Sequence, residues 1–149
     1  MIVATTVRRQ PAPARTHPTV TRALAVGGAV VAALAVWAVS VPLLGVDLLI
    51  RFGSGPAQTV GVAYVIGASL LGSLAGWGLL ALLERRSARP AQLWTRIAAI
   101  GTLISLSLPL IIATTAAART SLALMHVAVG GVLILVLHRP VAGRAPADA

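Results

Sequence analysis

Four ionisable side chains, Asp47, Arg51, Arg119 and His126, fall in or against long apolar runs, and among them Asp47 and His126 are the pair whose types allow proton chemistry. Asp47 stands in "VPLLGVDLLIRFG", residues 41–53, and is one of only three acidic residues in the chain. A charge at the centre of a bilayer costs roughly 2.5–3.5 kcal/mol by insertion scales, so an intramembrane ionisable group is by default a functional candidate. Arg51 follows Asp47 by four residues, the favourable order for an ion pair on one helix face. His126 follows Arg119 by seven residues, about 10 Å deeper along a helix. If a fourth span packs against a first, Asp47, Arg51, Arg119 and His126 converge in one polar cluster, with hydroxyls from Thr114, Thr115, Thr120 and Ser121 nearby. The plainer expectation is that Asp47 and Arg51 form an interfacial pair that ends a helix, and that a neutral His126 hydrogen-bonds a neighbouring helix.

Other chemistry finds little footing. The chain has no cysteine, which removes disulfides, thiolate nucleophiles and Cys-ligated metals. His17 lies in the N-terminal arm, and His138 is twelve residues from His126, roughly 18 Å along one helix, too far to share an ion. HExxH and GxSxG patterns are absent, and Asp47, Glu84 and Asp148 are too scattered for two carboxylates to share a site. No cofactor, no metal and no enzymatic activity are expected.

The elements that must position these residues follow from composition. Of 149 residues 58% are hydrophobic and 10% charged, and the mean hydropathy is +0.94. Soluble proteins carry about 25% charged residues, so the chain reads as a membrane protein. Charges divide it into four uncharged runs, each near the roughly 20 residues a helix needs to cross the hydrocarbon core. The predicted spans are about 23–50, 60–83, 94–116 and 120–138, joined by short links. The expected fold is all-α, a four-span transmembrane helical bundle with antiparallel up-down connections and a membrane domain over 22–139. The basic arm 1–21 and the tail 140–149 lack apolar periodicity and are expected to be disordered.

All twelve basic residues are arginine, and the net charge is +9. Ten lie on one side of the expected bundle, in the arm, the second link and the tail, against Arg51 and Arg119 on the other. The positive-inside rule then places both termini in the cytoplasm, N-in and C-in. Arg85, Arg86, Arg89 and Arg96 are expected to meet lipid headgroups, anionic ones above all. Glu84 beside them reads as part of a solvated charge run. Nucleic acid is not an expected partner, because the arginines punctuate apolar runs and do not stud a soluble surface. Trp94, Phe52 and Tyr64 fit interfacial aromatic belts.

Ala68, Gly72 and Gly76 recur every four residues, a spacing that lets a neighbouring helix approach closely, within the chain or in a homo-oligomer. Pro42 and Pro109 each remove a helical hydrogen bond and should kink their spans, with Thr102 and Ser105 placed to satisfy carbonyls nearby. "VPLLGVDLL", "GWGLLALLERR" and "LALMH", in that order, resemble an uncharacterised actinobacterial family of four-helix integral membrane proteins, a domain of unknown function (DUF6069-like). The resemblance spans about residues 22–139 and implies the same four-span architecture in a bacterial cytoplasmic (inner) membrane. It carries over no activity and no residue role. The reading preferred from sequence is a non-enzymatic scaffold or accessory subunit with a membrane-protein partner or a homo-oligomer. The alternative is a small-molecule or proton-coupled transporter that uses Asp47 and His126.

Overall fold

The computed structural model describes residues 18–138; residues 1–17 of the basic arm, Arg139 and the tail 140–149 lie outside the described residues. Helix α1 spans Pro18–Ala38 and runs into a π turn at Val39–Leu43. A two-stranded antiparallel hairpin follows, β1 at Leu49–Ile50 and β2 at Gln58–Thr59. Helix α2 covers Val62–Arg86, α3 Pro90–Ser105, α4 Ser107–Ile112 and α5 Ala116–Leu137. Four helical stretches are long and apolar enough to cross a membrane: Thr19–Leu43, Val62–Arg86, Pro90–Ile112 and Ala116–Leu137.

The helices stand in a ring in which α1 packs most extensively on α5 and then on α2. Helix α3 closes the ring more loosely, against α2 and α5. Close approach of α1 comes from Ala25, Ala29 and Ala33, an every-fourth-residue stripe that is essentially fully buried. The buried positions of α2 are Val65, Ser69, Ser73 and Leu80, one residue round the helix from the expected Ala68/Gly72/Gly76 stripe. Gly76 does admit a neighbour: a β-carbon there would lie 3.1 Å from the Trp94 ring. Ala68 and Gly72 are exposed, and a β-carbon at Gly72 would meet none of the described residues within 4 Å.

Both prolines act where expected, by different routes. Pro42 has no N–H to return to Ala38, and the turn widens: Leu44 N–H bonds Val39 O at 3.0 Å, one residue further back than in an α-helix. Pro109 lies just beyond the break at Leu106 that separates α3 from α4. Ser105 Oγ and Thr102 Oγ1 bond the carbonyls of Thr102 and Ala98, about one and two turns before the Ser105 carbonyl that Pro109 frees.

The departure from an all-α chain is at one end of the bundle. Span one stops at Leu43, where Gly45 takes a left-handed φ of 65° and turns the chain, so residues 44–50 do not continue the helix. Leu48 and Ile50 are instead buried in a small cap, with β1 paired to β2 in the register Leu49–Thr59 and Ile50–Gln58. Ile50 also bridges Ala113; Arg51 N–H bonds Ile112 O at 2.8 Å and Thr114 N–H bonds Leu49 O at 3.1 Å. The cap thus ties the first and third links together by backbone. Trp37 adds a bond from Nε1 to Val60 O at 3.1 Å.

At the opposite end, α1 begins at Pro18, so residues 18–21 are helical and not part of the arm. Pro90 opens α3 soon after α2 ends, a position that suits a residue without an N–H. Arg22 Nη2 forms an ion pair with Glu84 Oε1 across α1 and α2, which replaces the expected solvated charge run at Glu84. Trp94 is buried among Ala25, Ala29, Leu80, Leu133 and Leu137 and does not sit in an interfacial belt.

Candidate functional site

The structure does not join the four ionisable residues. Asp47 lies on the loop between the π turn and β1, and Arg51 just beyond β1, so the i, i+4 helical relation that would pair them is lost. Both are exposed, as is Arg119 on the first turn of α5. Among the described residues the only ion pair within 4.0 Å is Arg22–Glu84. His126 lies deeper and bonds within its own helix, Nδ1 to Leu122 O at 2.8 Å. Arg85, Arg86, Arg89 and Arg96 are exposed around the end of α2 and the start of α3.

The feature that gathers polar groups is a cavity of about 370 Å³ between α2, α3 and α5. Ligand pockets range over roughly 300–1,000 Å³, so it is large enough for a small molecule or part of a lipid. Small residues line it on both helices, Ala68 and Gly72 on α2 and Gly101 on α3, all exposed. These mark its mouth on the side of the bundle that faces lipid. Helix α5 and Ala33 of α1 form the back, through Leu122, Met125, His126, Val129 and Leu133. Towards the α2–α3 link the Trp94 ring, seated on Gly76, closes the gap. On α2 the lining runs from Tyr64 to Gly72, roughly 12 Å along the helix.

The lining is mainly apolar, with Tyr64, Ser69, Thr102, Ser105 and His126 as its polar members. Four of these have a proton already engaged. Ser69 Oγ donates to Val65 O at 2.6 Å, Thr102 Oγ1 to Ala98 O at 2.8 Å and Ser105 Oγ to Thr102 O at 2.7 Å. A carbonyl only accepts, so the His126 bond places that ring's proton on Nδ1 and, in the neutral ring, leaves Nε2 as a lone-pair acceptor. Among the described residues no group of three His, Cys, Asp or Glu could hold a metal ion.

Of the lining residues, sequence reasoning singles out His126 for chemistry, and Gly72, Thr102 and Ser105 only for packing or for a kink. What joins them is the α2–α3 separation, which no single helix encodes. The Ala25/Ala29/Ala33 stripe, which sequence reasoning missed, carries the same small-residue spacing that draws attention to Gly72.

Four apolar spans around an intramembrane cavity define the class, a multi-pass membrane protein. Residues 13–143 match a family of unknown function (DUF6069), and the chain belongs to that family. No curated protein and no solved structure matches it.

Proposed function

We propose that this protein is a non-enzymatic accessory or scaffold component of a bacterial cytoplasmic membrane, with both termini inside, and that it binds a lipophilic molecule in the α2–α3–α5 cavity. The observation that carries the reading is the cavity itself, open between exposed small residues on two lipid-facing helices and lined mainly by apolar side chains. Support for the orientation comes from the ten-to-two arginine asymmetry, with the hairpin cap on the arginine-poor side. A partner, another membrane protein or a second copy of the chain, would meet the exposed apolar faces of α2 and α3.

Native mass spectrometry of the protein gently extracted from its own membrane tests the reading. The expected result is a retained small apolar molecule, lost in Gly72→Leu, where a leucine side chain enters space that is otherwise open. Equal occupancy in both proteins would refute the site. A retained second protein would identify the assembly the component serves. The proton-coupled transporter reading has weaker support, because Asp47 lies on an exposed loop and does not line the cavity with His126.

Orientation has its own test. The chain has no cysteine, so single cysteines replacing Ser54 in the hairpin and Ala88 in the α2–α3 link, both exposed, report accessibility without background. An impermeant maleimide applied to intact cells is expected to label position 54 and not position 88. The reverse pattern would overturn the assignment.

A further inference from the structure

The cavity's polar lining is nearly uniform in what it asks of a ligand. Serine and threonine hydroxyls ordinarily offer one donor and two acceptor sites, and a neutral imidazole offers one of each. Here the donors of Ser69, Thr102 and Ser105 are turned back onto carbonyls of their own helices, and His126 Nδ1–H onto Leu122 O. With the imidazole in its neutral form, their remaining capacity is lone pairs alone. Tyr64, half exposed at the mouth, is the one lining side chain whose hydroxyl proton has no acceptor among the described residues.

Such a surface discriminates by hydrogen-bond polarity. A ligand head that donates finds acceptors on three walls, from α2, α3 and α5. A head with lone pairs only, such as a quinone carbonyl, an ether or an ester, sets lone pair against lone pair away from Tyr64 and leaves the cavity acceptors without partners. Sites built to hydrogen-bond a particular group reject the analogue lacking it, because buried polar groups are then left unpaired. Charge narrows the class further. Among the described residues no carboxylate lines the cavity to pair with an ammonium, and no arginine lines it to pair with a carboxylate or phosphate.

We infer that the cavity is selective for a neutral lipophile bearing a hydroxyl, an aliphatic alcohol or a phenol-type head such as a quinol, with the hydroxyl among His126 Nε2, Thr102 Oγ1 and Ser105 Oγ and the apolar tail leaving through the α2–α3 mouth. This rests on the reading of the cavity as a lipophile site and adds the chemistry of the head.

The test uses the full-length protein in lipid nanodiscs and a matched pair of probes, dodecanol and dodecyl methyl ether, whose chains are alike and whose heads differ in the donor. Each competes with a diazirine-bearing dodecanol for photolabelling of the cavity wall, at equal mole fraction in the bilayer. The expected result is that the alcohol competes roughly tenfold better than the ether, the scale of one or two net hydrogen bonds. The double variant His126→Phe/Ser105→Ala is expected to bring that ratio close to one, because alcohol competition weakens as its acceptors are lost and ether competition strengthens as the unpaired acceptors are removed. Gly72→Leu should abolish labelling at the cavity wall. Equal competition by alcohol and ether in the native protein, or a preference for the ether, would overturn the inference while the lipophile site stands. Failure of either probe to compete, with labelling unaffected by Gly72→Leu, would remove the site and the inference together. The native-protein comparison does not depend on whether the double variant folds.

Discussion

Gly130 and Gly131 are adjacent in α5 and have the same intrinsic helix propensity, yet the structure sets opposite requirements on them. A β-carbon at Gly131 would meet none of the described residues within 4 Å. At Gly130 it would lie 2.3 Å from Thr102 Oγ1, 2.7 Å from Thr102 Cγ2 and 3.1 Å from Thr102 Cβ. Both branches of the threonine and its stem are within reach, so rotating χ1 exchanges one clash for another, and α3 and α5 must separate instead. Overpacking of this kind costs about 1–3 kcal/mol. Replacing glycine by alanine inside a helix returns about 0.5–1 kcal/mol on soluble-protein scales. Gly131→Ala should therefore stabilise by up to about 1 kcal/mol, and Gly130→Ala should destabilise by about 1–2 kcal/mol. Unfolding of the purified protein in mixed detergent–SDS micelles, followed by circular dichroism, measures both. Thr102→Ala in the Gly130→Ala background should recover most of the loss, because only the 3.1 Å contact with Cβ then remains. If Gly130→Ala proves as stable as Gly131→Ala, the close α3–α5 approach is wrong, and with it the geometry of one cavity wall.

Other changes follow from single contacts. Ser73 Oγ and Trp94 Nε1 are buried with no hydrogen-bond partner among the described residues, so Ser73→Ala is expected to be neutral or stabilising in the same unfolding assay, since it removes a desolvated polar atom. Trp94→Phe, which deletes the orphan N–H and keeps an aromatic ring, should fall well short of the roughly 3–5 kcal/mol expected for Trp94→Ala; similar losses for the two would show that the ring's full volume matters more than the N–H. Arg22→Gln and Glu84→Gln, combined in a double-mutant cycle, should show a coupling of up to about 1 kcal/mol that falls with salt, given that Glu84 is partly exposed. Asp47→Asn should reduce detergent-stable yield less than Gly72→Leu/Gly76→Leu, and within that pair the loss should come from position 76, against the Trp94 ring; a loss from position 72 instead would contradict the open wall there.

How far the sequence carried is clearest at the two ends of span one. The count and rough extent of the spans were legible because apolarity over twenty or so residues is a property of each segment alone. The end of span one was not, because "LLGVDLLI" stays apolar past the helix and only Gly45's left-handed turn reveals the stop. Leu48 and Ile50 are hydrophobic for a cap made with Val60 and Ala113, residues a dozen and more than sixty positions away. The same limit governed the candidate site. Asp47 and Arg51 have helical spacing, but the backbone between them is not helical, so the pattern was real and its premise was not. Arg22 and Glu84, each read as one more charge at an interface, find one another only once α1 and α2 lie side by side.

The bridge from Ile50 to Ala113 also bears on how the chain is made. When spans one and two have entered the bilayer, the hairpin is complete, but the N–H of Arg51 and the carbonyl of Leu49 still lack the partners that residues 112 and 114 will bring. Until the third span is threaded, the half-built protein therefore carries an open strand edge beside the membrane. An unpaired edge of that kind is a template for pairing with a neighbouring chain, and the finished chain closes it from within, through Ile112 and Thr114.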